Sequence, residues 1–368
     1  MRAFISKAGL YFFLIILSGY PAFSQPDSTQ ISTGPEVTFS GFVDIFYAYD
    51  FNKPENSIRQ PFLFNHNRHN EFNLNLALIK ASVTHKKYRG NIALQAGTYA
   101  ADNYAAEEVM LRHVFEANAG VALNPSSNLW FDAGIFPSHL GFESAISTED
   151  PTLTRSLVAE NSPYFLAGAK LSYMPTTNWT LAAIITNGWQ RIRRIPGNSL
   201  PSFGTQVNYS QENYTLNWST FIGTDDPDAT RRMRYFNNLY AVISISEALD
   251  LTAGFDIGVQ QKTKGSSSVD VWYGPTAIAR YTFNPEWAVA ARVEYYADEH
   301  GVIIPVPSPE GFKTTGTSIN IDYTPFRNIA CRLEGRWFRA SDQIFEKSDG
   351  LTRNNVFLVA SLAISING

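Results

Sequence analysis

The sequence predicts an all-β fold: a transmembrane, up-and-down antiparallel β-barrel of about 16 strands with both termini on the same rim. Three observations carry that expectation. Apolar and polar residues alternate in segment after segment, and short turns alternate with long polar loops. Beyond the first residues, no apolar run is long enough to cross a bilayer as a helix.

The chain begins with addressing information. Arg2 and Lys7 precede the apolar run "GLYFFLIIL" (9–17), and Ala22-Phe23-Ser24 fits a small-x-small cleavage site, so residues 1–24 read as a cleaved signal peptide. The run is well short of the ~20 residues a spanning helix needs. Residues 25–35 would then form a short periplasmic segment and 36–368 the barrel. Removing the leader leaves 27 basic against 33 acidic side chains, a balance that offers nothing to nucleic acid. A single cysteine, Cys331, means that an exported chain of this size holds together without a disulfide.

The strands follow in order. In "LDLTAGFDIGVQQ" (249–261) Leu251, Ala253, Phe255, Ile257 and Val259 alternate with Thr252, Gly254, Asp256, Gly258 and Gln260, so one face is oily and the other wet. The same two-residue rhythm occupies 37–50, 70–78, 88–99, 114–123, 128–136, 164–173, 179–189, 202–209, 214–223 and 238–246. It resumes over 269–283, 288–296, 317–323, 329–338 and 356–366. Short connections such as "NPSSN", "MPTTN", "SQEN" and "TPFRN" alternate with eight longer loops, the longest at 137–163. An unpaired backbone amide in hydrocarbon costs several kcal/mol, so such strands must close on themselves, with oily side chains to lipid and polar ones to an aqueous interior. An even strand count puts both termini on the short-turn, periplasmic side.

Four segments carry a family resemblance: "SGFVDIFYAYDFNKP" (40–54), "NHNRHNEFNLNLALI" (65–79), "GIFPSHLGFESAISTEDPTLTRSLVAENSPYF" (134–165) and "NGWQRI" (187–192). They resemble the outer-membrane β-barrel porin family of the OmpL-like kind, most strongly in the loop from 134 to 165. The resemblance implies a pore-forming protein of the bacterial outer membrane, with no established substrate. The chain departs from many such barrels in ending Ile366-Asn367-Gly368 where they carry an aromatic residue.

Charges within the strands sort by the same alternation. Arg280, Arg292, Arg332 and Arg336 fall in the wet register, as do Asp256, Glu294 and Glu334. On the lipid face each arginine would cost about 2 to 4 kcal/mol at the midplane and each carboxylate somewhat less, so they point inward. Two readings stand side by side for them: a basic wall lining the pore, and a ladder of Arg/Glu ion pairs stiffening the barrel. The loop at 137–163 carries Glu143, Glu149, Asp150 and Glu160 with Arg155. Folded inward, it would form a constriction with carboxylates facing the arginines and a field that orients dipolar solutes; left outside, it would be a lid. Tyr47, Tyr49, Trp179, Trp189, Trp218, Tyr281, Trp287, Tyr295 and Trp337 lie towards strand ends and suit interfacial girdles.

Enzyme readings find little support. His66 and His69 have a spacing a metal could use, but their Asn and Arg neighbours suit a solvated loop. Ser138-His139 with Glu143 lacks the G-x-S-x-G elbow, and catalytic triads do not assemble from adjacent residues. The sequence therefore points to a porin of a Gram-negative outer membrane passing small hydrophilic solutes or ions, with no cofactor, metal or catalytic residue. Its partners would be lipid and solute, with a homo-oligomer left open. An outer-membrane lipid-acyl hydrolase and a plugged barrel used for surface binding are the alternatives.

Overall fold

The computed structural model describes residues 34–367; the expected leader, 1–24, and most of the segment 25–35 lie outside them. Strand β1 (Glu36–Asp50) is followed by β2 (Phe72–Thr84), β3 (Tyr88–Ala96), helix α1 (Thr98–Asn103), β4 (Val114–Ala122) and β5 (Leu129–Pro137). Helix α2 (Leu157–Glu160) interrupts the long loop before β6 (Phe165–Tyr173), β7 (Trp179–Thr186), β8 (Ser202–Ser210) and β9 (Tyr214–Gly223). Then come β10 (Arg234–Ser244), β11 (Leu249–Gln261), β12 (Val269–Asn284), β13 (Trp287–Asp298), β14 (Phe312–Phe326) and β15 (Ile329–Ala340). A small hairpin, β16 (Phe345–Lys347) and β17 (Gly350–Thr352), sits in the last loop ahead of β18 (Asn354–Asn367).

Each barrel strand pairs antiparallel with its chain neighbours, and β18 closes the ring on β1 from Ser40↔Asn367 to Asp50↔Phe357. All sixteen barrel strands coincide with segments of alternation in the sequence. β2 runs on to Thr84 rather than ending at 78, and two further strands differ in extent: β10, which starts at Arg234 rather than Asn238, and β14, which runs over 312–326 rather than 317–323. In both, the extension carries Phe236 or Phe312 in the wet register, where an aromatic breaks the polar/apolar rhythm.

The alternation has the sense the sequence requires. On β11, Thr252, Gly254, Asp256 and Gly258 are buried while Leu251 and Phe255 are exposed on the outer face. Trp179, Trp218, Tyr281, Trp287 and Trp337 are also exposed on that face. Trp189 is not: it packs inside the barrel edge-on against Phe221 and Phe236, because the turn that holds it bends into the lumen.

The interior is not uniformly polar. Near the long-loop end, inward-facing Phe46, Phe221, Phe236, Trp272, Phe338 and Phe357 form one apolar cluster with side chains of the loops, among them Phe62, Leu157, Ile304 and Phe345. Fully burying one such side chain is worth about 1.5 to 3 kcal/mol, so the cluster seats four loops inside the barrel mouth. Towards the short turns the inward positions are polar: Arg89 forms a two-pronged pair with Asp132 at 2.7 and 2.6 Å, Lys80 reaches Glu116 at 2.6 Å, and Asn91 donates to Asn118 at 3.0 Å.

Candidate functional site

The loop between β5 and β6 (138–164), here L3, lies inside the barrel against the inner face of β12 to β15. It has little regular structure, so its buried amides and carbonyls need partners from elsewhere. The strands supply them. Arg292 donates to the Thr154 carbonyl at 2.6 Å, Arg336 to the Arg155 carbonyl at 2.7 Å, Arg280 to the Pro151 carbonyl at 3.0 Å, and Arg332 to the carbonyls of Ser147 and Asp150. In the other direction, the Leu153 amide donates to Asn320 at 3.1 Å, that of Thr154 to Glu334 at 2.5 Å, and that of Leu157 to Glu294 at 2.6 Å. A ladder of side chains thus replaces the backbone ladder that L3 lacks.

The charges that clamp L3 are also paired with one another. Arg292 meets Glu334 at 2.6 Å, Arg336 meets Glu294, Arg332 meets Asp322 at 2.7 Å, and Arg280 meets the same aspartate. Register explains the pairing. Arg292, Ser318 and Arg336 form one row across β13, β14 and β15, and Asn320 and Glu334 lie in the next. Strands are about 4.8 Å apart, so an arginine on β13 reaches β15 only over small residues on β14. Gly316 shows the constraint: a Cβ there would sit 2.6 Å from the Glu294 carboxylate on its way to Arg336.

Within L3, Arg155 binds the carbonyls of Ser144, Leu153 and Ala145 at 2.7, 2.5 and 2.8 Å and pairs with Asp150 at 2.8 Å. Glu143 accepts from the Ser156 amide and hydroxyl, and Ser156 caps α2 by accepting from the Ala159 amide. Glu160 ties L3 to the first long loop by accepting from the Phe64 amide at 2.9 Å and from Asn65. Burial pushes its carboxyl up to about 7, although these donors and Arg155 pull the other way. Asp256 accepts from Asn238 at 2.6 Å on the far wall, and Asn238 in turn accepts from the Gly141 amide.

Of the charged residues singled out in the sequence, all but two are shut off from water, Glu143 through its side chain. The exceptions are Arg280, whose side chain is 27% exposed, and Glu149, which has no ion-pair partner among the described residues. L3 does not stand across a gap from the arginines with its carboxylates facing them. It lies on them, because guanidinium groups and orphan carbonyls satisfy each other. Asp322 and Asn320 complete the clamp and were not singled out; their only signal was the wet register of "SINIDY" (318–323).

The histidine pairs form no catalytic or metal constellation. His66 bonds Asp44 at 2.8 Å, His69 accepts from the Asp50 amide at 2.9 Å, and His139 bonds the Thr220 carbonyl at 2.9 Å. Burial takes the His139 ring down to about 4, which leaves it neutral. Among the described residues no group of His, Cys, Asp and Glu is arranged to hold a metal.

Three cavities lie along the lumen, two of them lined in part by L3. An outer one of about 260 Å³ is lined by Trp189, Arg191, Asp225 and Arg234; a middle one of about 470 Å³ by Lys80, Glu116, Tyr99 and Tyr240; an inner one, at the short-turn end, of about 490 Å³ by Arg280, Arg327, Asp250 and Thr252. Tyr104 and Phe165 border both the outer and the middle cavity, their rings stacked 3.9 Å apart. Phe142, Glu149 and Asp150 of L3 border both the middle and the inner one.

A closed sixteen-strand barrel with a loop folded inward is joined by a match along its length: the family described as "Putative beta-barrel porin-2, OmpL-like" covers residues 36–366. The chain belongs to this OmpL-like porin family. No curated protein sequence matches it. Its fold is similar to that of the outer-membrane channel DcaP of Acinetobacter baumannii (TM-score 0.60, 11% identity, 91% of this chain and 98% of that one). It is likewise similar to the anion-selective porin from Comamonas acidovorans (0.61, 8%, 90% and 100%). A third is the trimer form of OmpT from Vibrio cholerae (0.55, 8%, 89% and 99%). This OmpL-like porin is thus an outer-membrane channel for passive or weakly selective diffusion of small hydrophilic solutes.

Proposed function

We propose that solutes cross this porin through the three cavities in series, with narrow points at Tyr104/Phe165 and at Phe142/Glu149. The shared walls of successive cavities are the observation that carries this reading. Of the charges singled out in the sequence, Arg280 and Glu149 are the ones that meet the solute, since the others are buried in hydrogen bonds and ion pairs. They face the inner cavity from opposite signs, a transverse field suited to dipolar solutes. The function needs no cofactor and no catalytic group, and export through the leader at 1–24 places the short turns in the periplasm. Single-channel recording of the refolded protein under a salt gradient tests the path: a steady open level whose reversal potential moves on changing Glu149 or Arg280 supports it.

One observation favours a second reading. The aromatic cluster at the long-loop end narrows the mouth, as a plugged barrel used for surface binding requires. Absence of any conductance in planar bilayers would favour that reading.

A second copy of the chain is part of the proposal. Strands β3 to β8 are only 8 or 9 residues long, whereas β11 to β14 run to 12 to 16. At about 3.3 Å per residue and a tilt near 40°, nine residues span roughly 23 Å, slightly less than the ~25 Å apolar band of such barrels. A neighbouring barrel against this low wall would shield it. Chemical cross-linking in native membranes that yields only monomer would remove this part.

A further inference from the structure

The outer cavity holds one cation that its surroundings leave unsatisfied. Four charged side chains line it: Glu107, Arg191, Asp225 and Arg234. Three are committed. Glu107 accepts from the Ile192 and Arg193 amides at 3.0 and 3.2 Å. Asp225 accepts from the Trp189 amide at 3.0 Å and lies 3.9 Å from Arg234, which donates twice to Gln260 at 3.0 and 2.8 Å. Arg191 has no hydrogen bond or ion pair among the described residues, and its Nε is buried without an acceptor.

The turn that presents Arg191 is tightly specified. Gln190 adopts a left-handed φ of 55°, rare for a residue with a side chain, and the surroundings enforce it. Its side chain accepts from the Tyr164 amide at 2.7 Å and donates to Asn103 at 3.2 Å. Gly188, at φ 155°, leaves room for the Asp225 carboxylate, which a Cβ would meet at 2.5 Å. This is the "NGWQRI" segment. Apart from Asn103 and Gln190, the rest of the cavity is aromatic or aliphatic: Tyr104, Phe165 and Trp189 on one part, Ala106, Val302 and Ile303 on another.

We propose that the outer cavity is a capture site for small monocarboxylates with a flat, apolar body, the carboxylate on the Arg191 guanidinium and the body against the Trp189 and Tyr104 rings. A guanidinium matches a carboxylate through two parallel N–H donors, and a half-buried one without an acceptor gains most from such a ligand. A neutral analogue of the same shape keeps the ring contacts but leaves the guanidinium unpaired. A dicarboxylate brings a second charge to apolar walls. The site deepens the channel reading, since it stands at the head of the proposed path, but binding there does not require conduction.

Benzoate is the probe. Calorimetry on the refolded full-length porin in detergent should show saturable benzoate binding, with benzamide and succinate each at least about tenfold weaker, the scale of one charged hydrogen-bonded pair. Arg191→Gln should reduce benzoate affinity by a similar factor while leaving the thermal unfolding midpoint of the barrel unchanged, and Arg191→Lys should recover part of the affinity. Equal binding of benzoate and benzamide, undetectable benzoate binding, or unchanged affinity in Arg191→Gln overturns the proposal. A barrel that binds benzoate through Arg191 yet passes no ions leaves the site standing and removes the channel path; a conducting barrel blind to benzoate does the reverse.

Discussion

Arg292 and Glu334 meet at 2.6 Å across the intervening strand β14, both side chains fully excluded from solvent, and each also holds Thr154 of L3. The barrel wall and the loop inside it therefore share one buried charge network. Removing one partner of such a pair costs about 3 to 5 kcal/mol because the other is left charged in a dry site, whereas an apolar replacement of both is far less costly. Glu334→Gln is expected to be destabilised on that scale in urea unfolding, and the Arg292→Met/Glu334→Leu double variant to be more stable than the sum of its single changes. Additive effects would mean that the two groups do not act as a unit.

Gly316 leaves the space through which Glu294 reaches Arg336 and the Leu157 amide. Gly316→Val would displace that carboxylate and release α2. L3 in the variant should become cleavable by trypsin at Arg155 under conditions where the native loop resists, and the conductance should rise. A variant as resistant as the parent would show that Glu294 is not what holds the loop.

Among the charges singled out in the sequence, Glu149 and Arg280 are the two left to meet solutes. Glu149→Gln should shift the reversal potential in a salt gradient towards anion preference, and Arg280→Gln towards cation preference. Arg336→Gln, which alters a charge buried beneath L3, should lower the unfolding midpoint with a much smaller effect on selectivity. Equal shifts from Arg280 and Arg336 would return the buried arginines to the pore wall.

Glu160 predicts a pH dependence. Burial raises its folded carboxyl to about 7 from an unfolded value of 4.5, so folding favours the protonated form. Its contribution to stability is complete below about 4.5 and is lost as pH rises through about 7. The thermal midpoint should therefore fall between pH 5 and 8, and Glu160→Gln, which mimics the protonated acid, should flatten that decline. A native midpoint that rises over the same interval would contradict the assignment.

The sequence by itself determined the barrel: sixteen strands, their sides and the ring they close, because a two-residue period is a local property and hydrocarbon tolerates no other sorting. The inward aim of Arg292, Glu294, Glu334 and Arg336 was legible for the same reason. Which of them pair, and what they hold, was decided by tertiary structure. Arg292 finds Glu334 through the register of two strand pairs and the smallness of the β14 residues between, none of which alternation encodes. The fold alone also decided that L3 lies on the arginines, since its backbone finds acceptors and donors only there. Phe236, Trp272 and Phe338 stand in the wet register yet pack dry, because the loops that cover them arrive from distant parts of the chain.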